Sequence, residues 1–187
     1  MADTIKVFIK IYKNGIIPVC LSEDSAGYDL FAPVDLVLRP GERKIMPMDF
    51  VIALEPGVEA QVRPRSGMSL KTSIRIPNSP GTIDSDYRDM VGVIMENTFD
   101  MTNLAFKAYV DDDFRKVLTK DFRHIESLGQ RIYLDANNNP YGTIYINKGD
   151  RVAQMVFSKY LKAEFELHDS PEGIGTNRGG GFGHSGK

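Results

Sequence analysis

Cysteine is nearly absent from this chain of 187 residues, since Cys20 is the only one. A single thiol cannot form an internal disulfide, and the first residues lack the charged start and apolar core of a signal peptide. We therefore expect an intracellular, cytoplasmic protein. The sequence also lacks any run of about eighteen apolar residues, the length that a membrane-spanning helix needs. A soluble protein that does not insert into a membrane is expected.

An excess of charge of either sign is lacking as well, because 23 Lys and Arg residues nearly balance 25 Asp and Glu residues. A near-neutral chain gives no sign of nucleic-acid binding, so any phosphate site must be built locally. Histidine is scarce, and His124 and His168 have no cysteine or histidine partner at the spacing of metal ligands. The length suits one globular domain rather than two.

What the chain does contain is a succession of short apolar runs. From Thr4, alternate residues of TIKVFIKIY are isoleucine or valine, which is the pattern of an extended strand. The runs DLVL, DFVIAL and MVGVIM follow, separated by turn signals at residues 39–42 and 55–57, and TIYIN and VAQMVF come later. Many short strands at close spacing predict an all-β sandwich or barrel.

Two stretches break the β pattern. Over residues 111–129, apolar residues recur at helical spacing, with acidic residues at the front and Gly129 at the end, which predicts the one convincing helix of the chain. The last eighteen residues, from Ser170, hold seven of the 17 glycines. A tail of this composition is mobile unless a ligand or a partner orders it.

Five short segments contain groups suited to a nucleotide site, at residues 26–30, 63–68, 78–88, 149–156 and 178–186. The second combines an arginine, a hydroxyl and a glycine amide, which are groups that bind a polyphosphate. The third places a carboxylate and an aromatic ring after a turn-rich hairpin, and the fourth places a glutamine in an alternating strand. Each segment alone has an ordinary alternative: a turn, a capped strand end, a satisfied interior amide or a disordered tail.

Taken in order, these five segments resemble the motifs of the homotrimeric dUTPases, and the resemblance covers most of the chain outside the predicted helix. It implies a jelly-roll-like β domain over residues 1–169 and a flexible glycine-rich arm, residues 170–187, that closes over the active site. It further implies a dUTP diphosphatase that hydrolyses dUTP to dUMP and pyrophosphate with Mg²⁺. Its three active sites would each combine residues from more than one subunit.

The resemblance also implies a role for each matched residue. Asp84 would orient and deprotonate the attacking water, as a well-placed carboxylate can. Asn78 and the hairpin backbone would read the uracil edge, and Tyr87 would pack under the deoxyribose and exclude a 2′-hydroxyl. Asp29 would either orient an arginine or join the water shell of a magnesium ion bound mainly through substrate phosphates. The catalytic set is Asp84, Asp29 and Gln154, and the substrate-binding set is Arg65, Ser66, Gly67, Asn78, Gly81, Ile83, Tyr87, Arg178, Phe182, Gly183, His184 and Ser185.

Within the arm, the resemblance implies that Phe182 stacks on uracil. Arg178, His184 and Ser185 would reach the γ-phosphate region, while glycines such as Gly183 let backbone amides approach the triphosphate. The sequence departs from the family pattern at two places. Residues 89–90 are Asp and Met where the family commonly has Gly and Glu, and the spacing from Arg178 to Phe182 is one residue shorter than the common form.

The third and fourth segments are unusually far apart, since Asp84 and Gly149 are separated by 65 positions in the numbering. The surplus, about residues 98–139, contains the predicted helix and is similar in position to inserts of phage-type dUTPases. The apolar face of that helix must pack on the β core or meet another protein. The resemblance suggests the hypothesis that the insert docks a regulatory protein; a phage-encoded enzyme would then act in the host-cell cytoplasm.

Other functions fit parts of the sequence. A dCTP deaminase-like enzyme would share the architecture, a nucleotide-sensing regulatory protein would bind without turnover, and a purely structural β-sandwich would need no site. Residues 135–139 open like a calcium loop, but Pro140 stands at the glycine position, so a turn is predicted. Residues 181–187 have the spacing of a phosphate-binding P-loop but lack the helix that such a loop needs.

Overall fold

The structure is a computed structural model of the chain and describes residues 4–127 and 129–176. Short strands dominate it, as the alternating apolar runs predict. The strands are β1 (Val7–Ile11), β2 (Gly27–Phe31), β3 (Leu36–Leu38), β4 (Arg43–Pro47), β5 (Phe50–Leu54), β6 (Val58–Arg63), β7 (Ile74–Arg75), β8 (Gly81–Ile83), β9 (Gly92–Asn97), β10 (Arg123–Ser127), β11 (Gln130–Leu134), β12 (Ile144–Ile146) and β13 (Arg151–Lys159). The helices are α1 (Ser66–Lys71), α2 (Leu104–Val110) and α3 (Asp112–Asp121), with a 3-10 turn at Pro171–Gly173. No helix in the described residues is long and apolar enough to cross a membrane.

The strands form several small sheets around one apolar core. The largest has the order β2-β13-β6-β8, a second has the order β4-β9-β7, and β1-β5 and β12-β3 form pairs. Residues from all of these sheets, including Leu30, Phe50, Val93 and Met155, are almost completely buried in the same cluster. The all-β prediction is confirmed, and sheets that share one core in this way form the β-sandwich or barrel type of fold.

Strands β6 and β13 show why one face of the largest sheet is available for chemistry. Val58, Ala60 and Val62 are buried on one side of β6, while the residues between them are polar. On β13, Ala153 and Met155 are completely buried and Gln154 is only half-buried, as the alternation predicts. The sheet therefore turns an apolar face to the core and a polar face outward.

The turn at residues 39–42 is held by the Glu42 carboxylate. Its Oε2 accepts a hydrogen bond from the Arg39 amide at 2.8 Å and lies 2.9 Å from Lys44 Nζ. The amide of Arg39 and the ammonium of Lys44 lower the pKa of Glu42 to about 2. Gly41 occupies the left-handed position of this turn with φ 75°, as the Pro-Gly pair predicts.

Glu42→Gln is expected to reduce the free energy of unfolding at pH 7 by about 1 kcal/mol, a value discounted for the exposure of the group. Because the folded pKa lies below the unfolded pKa, the charged form stabilises the protein above about pH 5, and this contribution fades as the pH falls toward 2. Urea unfolding at pH 7 and pH 3 should show the difference shrinking at the lower pH. Glu55→Gln, the same charge change at an exposed position, is the control, and an equal loss in both variants would contradict the assignment.

The insert differs from its prediction. Acidic residues begin α3 as expected, and Asp111 caps it, since its Oδ1 accepts a hydrogen bond from the Phe114 amide at 2.9 Å, but α3 ends at Asp121 rather than near Gly129. Residues 123–127 and 130–134 form the β10-β11 hairpin, in which Gly129 takes φ 74° at the turn. Gly129 thus marks the turn of a hairpin and not the end of a helix. Leu128, which belonged to the predicted helix, lies outside the described residues. The prediction of a single helix is also wrong, because α1 and α2 are present.

Part of the apolar surface of the insert is buried away from the main core. Leu104 and Leu118 are buried outside the main core cluster. The Tyr141 ring makes edge contacts with Phe99, Phe114 and Phe122, at centroid distances of 5.6, 5.7 and 4.9 Å. This aromatic cluster places α3 against the root of the insert.

The loop at residues 135–139 is the predicted turn. Asp135 Oδ1 accepts hydrogen bonds from the amides of Asn137 and Asn139 at 2.8 and 2.9 Å, and Oδ2 accepts one from the Tyr145 hydroxyl. The carboxylate is therefore occupied by the loop's own donors, which is the arrangement of an Asx turn rather than of a calcium loop.

Candidate functional site

The largest sheet brings four of the five segments side by side. Segment one lies in β2, segment four in β13, segment two at the end of β6 and segment three in β8, and these strands are neighbours in the order β2-β13-β6-β8. Gln154 of the central β13 lies opposite Asp29 of β2 on one side and opposite Arg63 of β6 on the other. Segments more than a hundred residues apart therefore meet on one face.

A carboxylate held between two arginines forms the base of this face. Arg65 Nε donates to Asp29 Oδ1 at 2.8 Å, and Arg151 lies 3.2 Å from Asp29 Oδ2. The Asp29 side chain is only 13% exposed, so these contacts fix both arginines. Of the two roles open to Asp29, its contacts favour the orientation of arginine. Two guanidinium groups against one carboxylate leave net positive charge, which suits a polyphosphate.

Arg151 was absent from the sequence-based site. A signal was available, because it belongs to the fourth segment and lies three positions before Gln154. A charged residue at a strand start is usually solvated, however, and only the pairing of β13 with β2 shows that it reaches Asp29.

Gln154 connects the first two segments. Its Nε2 donates to the Pro64 carbonyl at 2.9 Å, immediately before Arg65 in the chain. Its Oε1 lies against Gly27, where an added Cβ would overlap it. The glutamine thus positions the arginine segment, and the small residue in segment one allows the close approach that the sequence predicts.

Gly27→Ala is expected to lower the free energy of unfolding by about 1 kcal/mol, because the new methyl group pushes the end of the Gln154 side chain aside and breaks its hydrogen bond with the Pro64 carbonyl. Thermal unfolding measures the change. The matched control is the same substitution in a Gln154→Ala background, where the overlapping oxygen is gone and the added cost should be small. Equal costs in the two backgrounds would refute the steric explanation.

The second segment begins α1 rather than ending in a capped strand. Arg65 precedes the helix in an extended conformation, and Ser66 and Gly67 occupy its first two positions, both exposed. The hydroxyl and the glycine amide are therefore open to a ligand beside the oriented Arg65. A cleft of about 400 Å³ is lined by residues that include Asp29, which binds Arg65, together with Arg63 and Gln154.

The third segment forms a hairpin followed by a tight turn. Gly81 is buried, and a Cβ there would lie 3.0 Å from Asn78 Nδ2, so the glycine gives Asn78 its position. Ile83 is buried at the end of β8, and Asp84 follows it, exposed. The Tyr87 amide donates to the Asp84 carbonyl at 3.1 Å.

The departure at residues 89–90 leaves this turn intact. The Tyr87 hydroxyl donates to the Met90 carbonyl at 3.0 Å, which is a backbone contact that does not require a particular side chain at position 90. Tyr87 as a whole residue is 37% exposed, so it remains accessible to a ligand.

Asp84 and Arg65 lie at opposite ends of β6 within one chain. Ile83 is paired with Ala60 and Gly81 with Val62, so Asp84 lies near the start of β6, whereas Arg65 follows its end. At about 3.3 Å per residue, the separation along the strand is about 20 Å. One chain therefore presents the residues predicted to bind the phosphates and those predicted to bind the base and catalyse the reaction at two separate places.

The fifth segment cannot be placed. Arg178, Phe182, Gly183, His184 and Ser185 lie outside the described residues, so their roles stay predictions.

The described donor set fits a magnesium ion that arrives with its substrate. In residues 4–127 and 129–176, no group of three or more His, Cys, Asp or Glu side chains could hold a metal ion. Both oxygens of Asp29 already face arginines, which leaves it poorly suited to direct ligation. Magnesium commonly relies on substrate phosphates and water, and the cationic face would hold such a complex through its phosphates.

Comparison with known proteins decides the family. The family model described as dUTPase matches residues 13–110 and 116–186. The chain belongs to the dUTPase family. It is thus an enzyme of the dUTP nucleotidohydrolase class, and its β fold is that of the family. A deoxyuridine 5′-triphosphate nucleotidohydrolase of Syntrophotalea carbinolica is 32% identical over 98% of this chain and 97% of its own length.

Solved structures agree with this fold. The dUTPase of Staphylococcus bacteriophage 80alpha, in a structure with dUPNHPP, has a TM-score of 0.73 at 24% identity and covers 98% of this chain and 100% of its own. A point mutant of the dUTPase from phage phi11 of S. aureus has a TM-score of 0.68 at 25% identity, covering 89% of this chain and 99% of its own. Both likenesses extend through nearly the whole β domain.

Proposed function

We propose that this chain hydrolyses dUTP to dUMP and pyrophosphate by in-line attack of a water molecule on the α-phosphorus. The observation that carries the proposal is the sheet order β2-β13-β6-β8, which gathers four dUTPase motifs around an arginine oriented by Asp29. Arg65, Ser66 and Gly67 would bind the phosphates, with Gln154 holding the segment in place through its contact with the carbonyl before Arg65. Arg151 adds a second cation to the same face.

Asp84 is proposed to hold the attacking water and accept its proton. It is exposed at the end of β8, so solvent and substrate can reach it, and the buried Ile83 anchors the strand before it. Asn78, with the backbone of the hairpin at Gly81 and Ile83, would bind the uracil edge. Tyr87 would pack under the deoxyribose, because the contact of its hydroxyl with the backbone at position 90 keeps the ring in place while leaving it accessible.

Magnesium is the proposed cofactor. When bound with the triphosphate, it neutralises charge on the phosphates and on the leaving pyrophosphate. The phi11 dUTPase is described as coordinating a structural Mg(II) ion. In this chain, Arg65 and Arg151 supply the protein's own positive charge to the same region.

A homotrimer with shared sites is also proposed. The separation of about 20 Å between Asp84 and Arg65, from the strand rise, supports this proposal, because it favours two different chains as the source of these residues at one dUTP. A complete site would then combine Arg65 of one subunit with Asp84 of a neighbouring subunit. Residues 170–187 are proposed as an arm distinct from the β domain of residues 1–169, with Phe182 stacking on uracil and Arg178, Gly183, His184 and Ser185 at the phosphates.

The insert is proposed to dock a regulatory protein. The 80alpha dUTPase is described among phage dUTPases that control transfer of virulence genes. In this chain, Phe106, Tyr109 and Val110 of α2 are 67%, 81% and 60% exposed, which is an unusual apolar display for a short helix. We further propose a cytoplasmic location, in keeping with a chain that has one cysteine.

The activity is tested by magnesium-dependent release of pyrophosphate from dUTP, dTTP, dCTP and UTP. We expect release from dUTP alone, because the hairpin would read the base and Tyr87 would exclude the 2′-hydroxyl. Absence of pyrophosphate release from dUTP would reject the enzyme proposal, and deamination of dCTP would favour the deaminase alternative.

The docking role of the insert is tested separately. A triple serine variant at residues 106, 109 and 110 should lose a partner captured by the wild type while keeping hydrolysis, because these side chains lie apart from the sheet that carries the motifs. Unchanged capture would reject docking at α2.

A further inference from the structure

We propose that Arg75 is a positioning residue for the phosphate-binding segment, because it holds the far end of α1 in place through the backbone carbonyls of Ser69 and Thr72. The proposal rests on the function proposed above. Its observation is separate, however, since Arg75 lies outside the five motif segments and is not among the residues that line the cleft.

Helix α1 needs an external support. It has six residues, and none of them is buried. Met68 packs partly against the core, but a helix of this length has little stability of its own. Since Ser66 and Gly67 belong to this helix, any movement of α1 moves the proposed phosphate contacts.

The support comes from strand β7. Arg75 Nη1 donates to the carbonyls of Ser69, Thr72 and Ile74 at 3.3, 3.1 and 2.7 Å. Two of these carbonyls are in or directly after the last turn of α1, where the unpaired carbonyls carry partial negative charge. Nη1 carries two hydrogens, so the three carbonyls share them: the contact with Ile74 fixes the guanidinium on its own strand, and those with Ser69 and Thr72 attract the end of the helix toward it.

The backbone of Arg75 is itself fixed. Ile74 pairs with Asn97 and Arg75 with Glu96 in the β7-β9 ladder, and Ile74 and Ile76 on either side are buried. The arginine therefore connects a rigid strand to a helix that has little anchorage of its own. At the opposite end of α1, a carboxylate of β2 holds the arginine that precedes the helix. The phosphate-binding segment is thus held at both ends, by a carboxylate before it and by a guanidinium after it.

Arg75→Met keeps the apolar stem and removes all donors, so it isolates the three hydrogen bonds. We expect the KM for dUTP to rise about tenfold, as loss of charged hydrogen bonds allows, with kcat within about twofold of wild type. The Kd of a non-hydrolysable imido analogue of dUTP should rise in parallel. The Kd of dUMP, which lacks the β- and γ-phosphates, should change less than about threefold. The reason is that a displaced α1 would weaken mainly the proposed contacts of Ser66 and Gly67 with the phosphates.

Two companion variants complete the test in the full-length protein. Arg75→Lys keeps the charge at the helix end, so its KM for dUTP should lie between those of wild type and Arg75→Met. Arg43→Met is the matched control, because Arg43 is an exposed arginine on β4 whose ion pair is with Glu96 rather than with α1. It should leave KM unchanged, and the melting temperatures of all three variants should stay within about 3 °C of wild type.

An unchanged KM and analogue Kd in Arg75→Met would overturn the proposal. The proposal would also be overturned if Arg75→Met bound dUMP and the imido analogue equally more weakly and had a clearly lower Tm, because that result would show a general structural role. Failure of the proposed function is distinguishable, because it would show as a wild type that releases no pyrophosphate from dUTP. The comparison of analogue binding between variants would still decide the role of Arg75.

Discussion

Replacement of Asp84 by asparagine is expected to lower kcat for dUTP about 10³-fold, the range of a lost general base. The side chain keeps its size, and Asp84 is exposed after a buried Ile83, so folding and the binding of dUTP should persist. Pyrophosphate release and the Kd of the imido analogue measure the two effects. A variant that retains most of its kcat would remove Asp84 from the mechanism, whereas loss of binding together with kcat would give it a structural role.

The same variant tests whether sites are shared. Asp84→Asn and Arg65→Ala subunits should each be nearly inactive alone. If a site takes Asp84 from one subunit and Arg65 from another, random mixing at equal amounts should restore about a quarter of the wild-type activity. The physical reason is the separation of about 20 Å between the two residues along β6 in one chain. Absence of any recovery after subunit exchange would contradict the shared site.

Replacement of Asn97 by alanine should have the largest effect on stability. This side chain is completely buried at the end of β9. Its Nδ2 donates to the carbonyls of Leu38 and Gly142 at 2.9 and 2.8 Å, and its Oδ1 accepts from the Ser73 hydroxyl and the Phe99 amide at 2.6 and 3.0 Å. Truncation to alanine leaves the two carbonyls, the Ser73 hydroxyl and the Phe99 amide without this hydrogen-bond partner. We expect a loss of about 4 kcal/mol in the free energy of unfolding.

Thermal unfolding at one fixed protein concentration measures this loss, with an expected fall in Tm of about 10 °C. The control is Asn137→Ala, because Asn137 is exposed in the turn at residues 135–139 and should cost less than about 0.5 kcal/mol. Similar losses in both variants would show that Asn97 does not join the sheets. Because Asn97 also contacts the first residues of the insert, its loss should loosen the insert root before the β core.

Several local features were predictable from residues close together in the chain. The turn at residues 39–42, the acidic start of α3 and the alternation of Ala153, Gln154 and Met155 are confirmed by the structure. These features depend on backbone dihedrals and hydrogen bonds within a few positions, which the residue types largely determine. The helical pattern that continued through Gly129 was misleading because a strand hairpin can carry apolar residues at the same spacing.

The sequence by itself determined the family, the β character of the chain and the identity of the candidate residues, because motifs and strand alternation are local patterns. Tertiary structure alone decided how those residues meet. The pairing of β13 with β2 and β6 brought Arg151 to Asp29 and Gln154 to the end of β6, and the direction of β8 placed Asp84 away from Arg65. Strand order and register join residues far apart in the chain through backbone hydrogen bonds and shared burial, which no short stretch of sequence specifies.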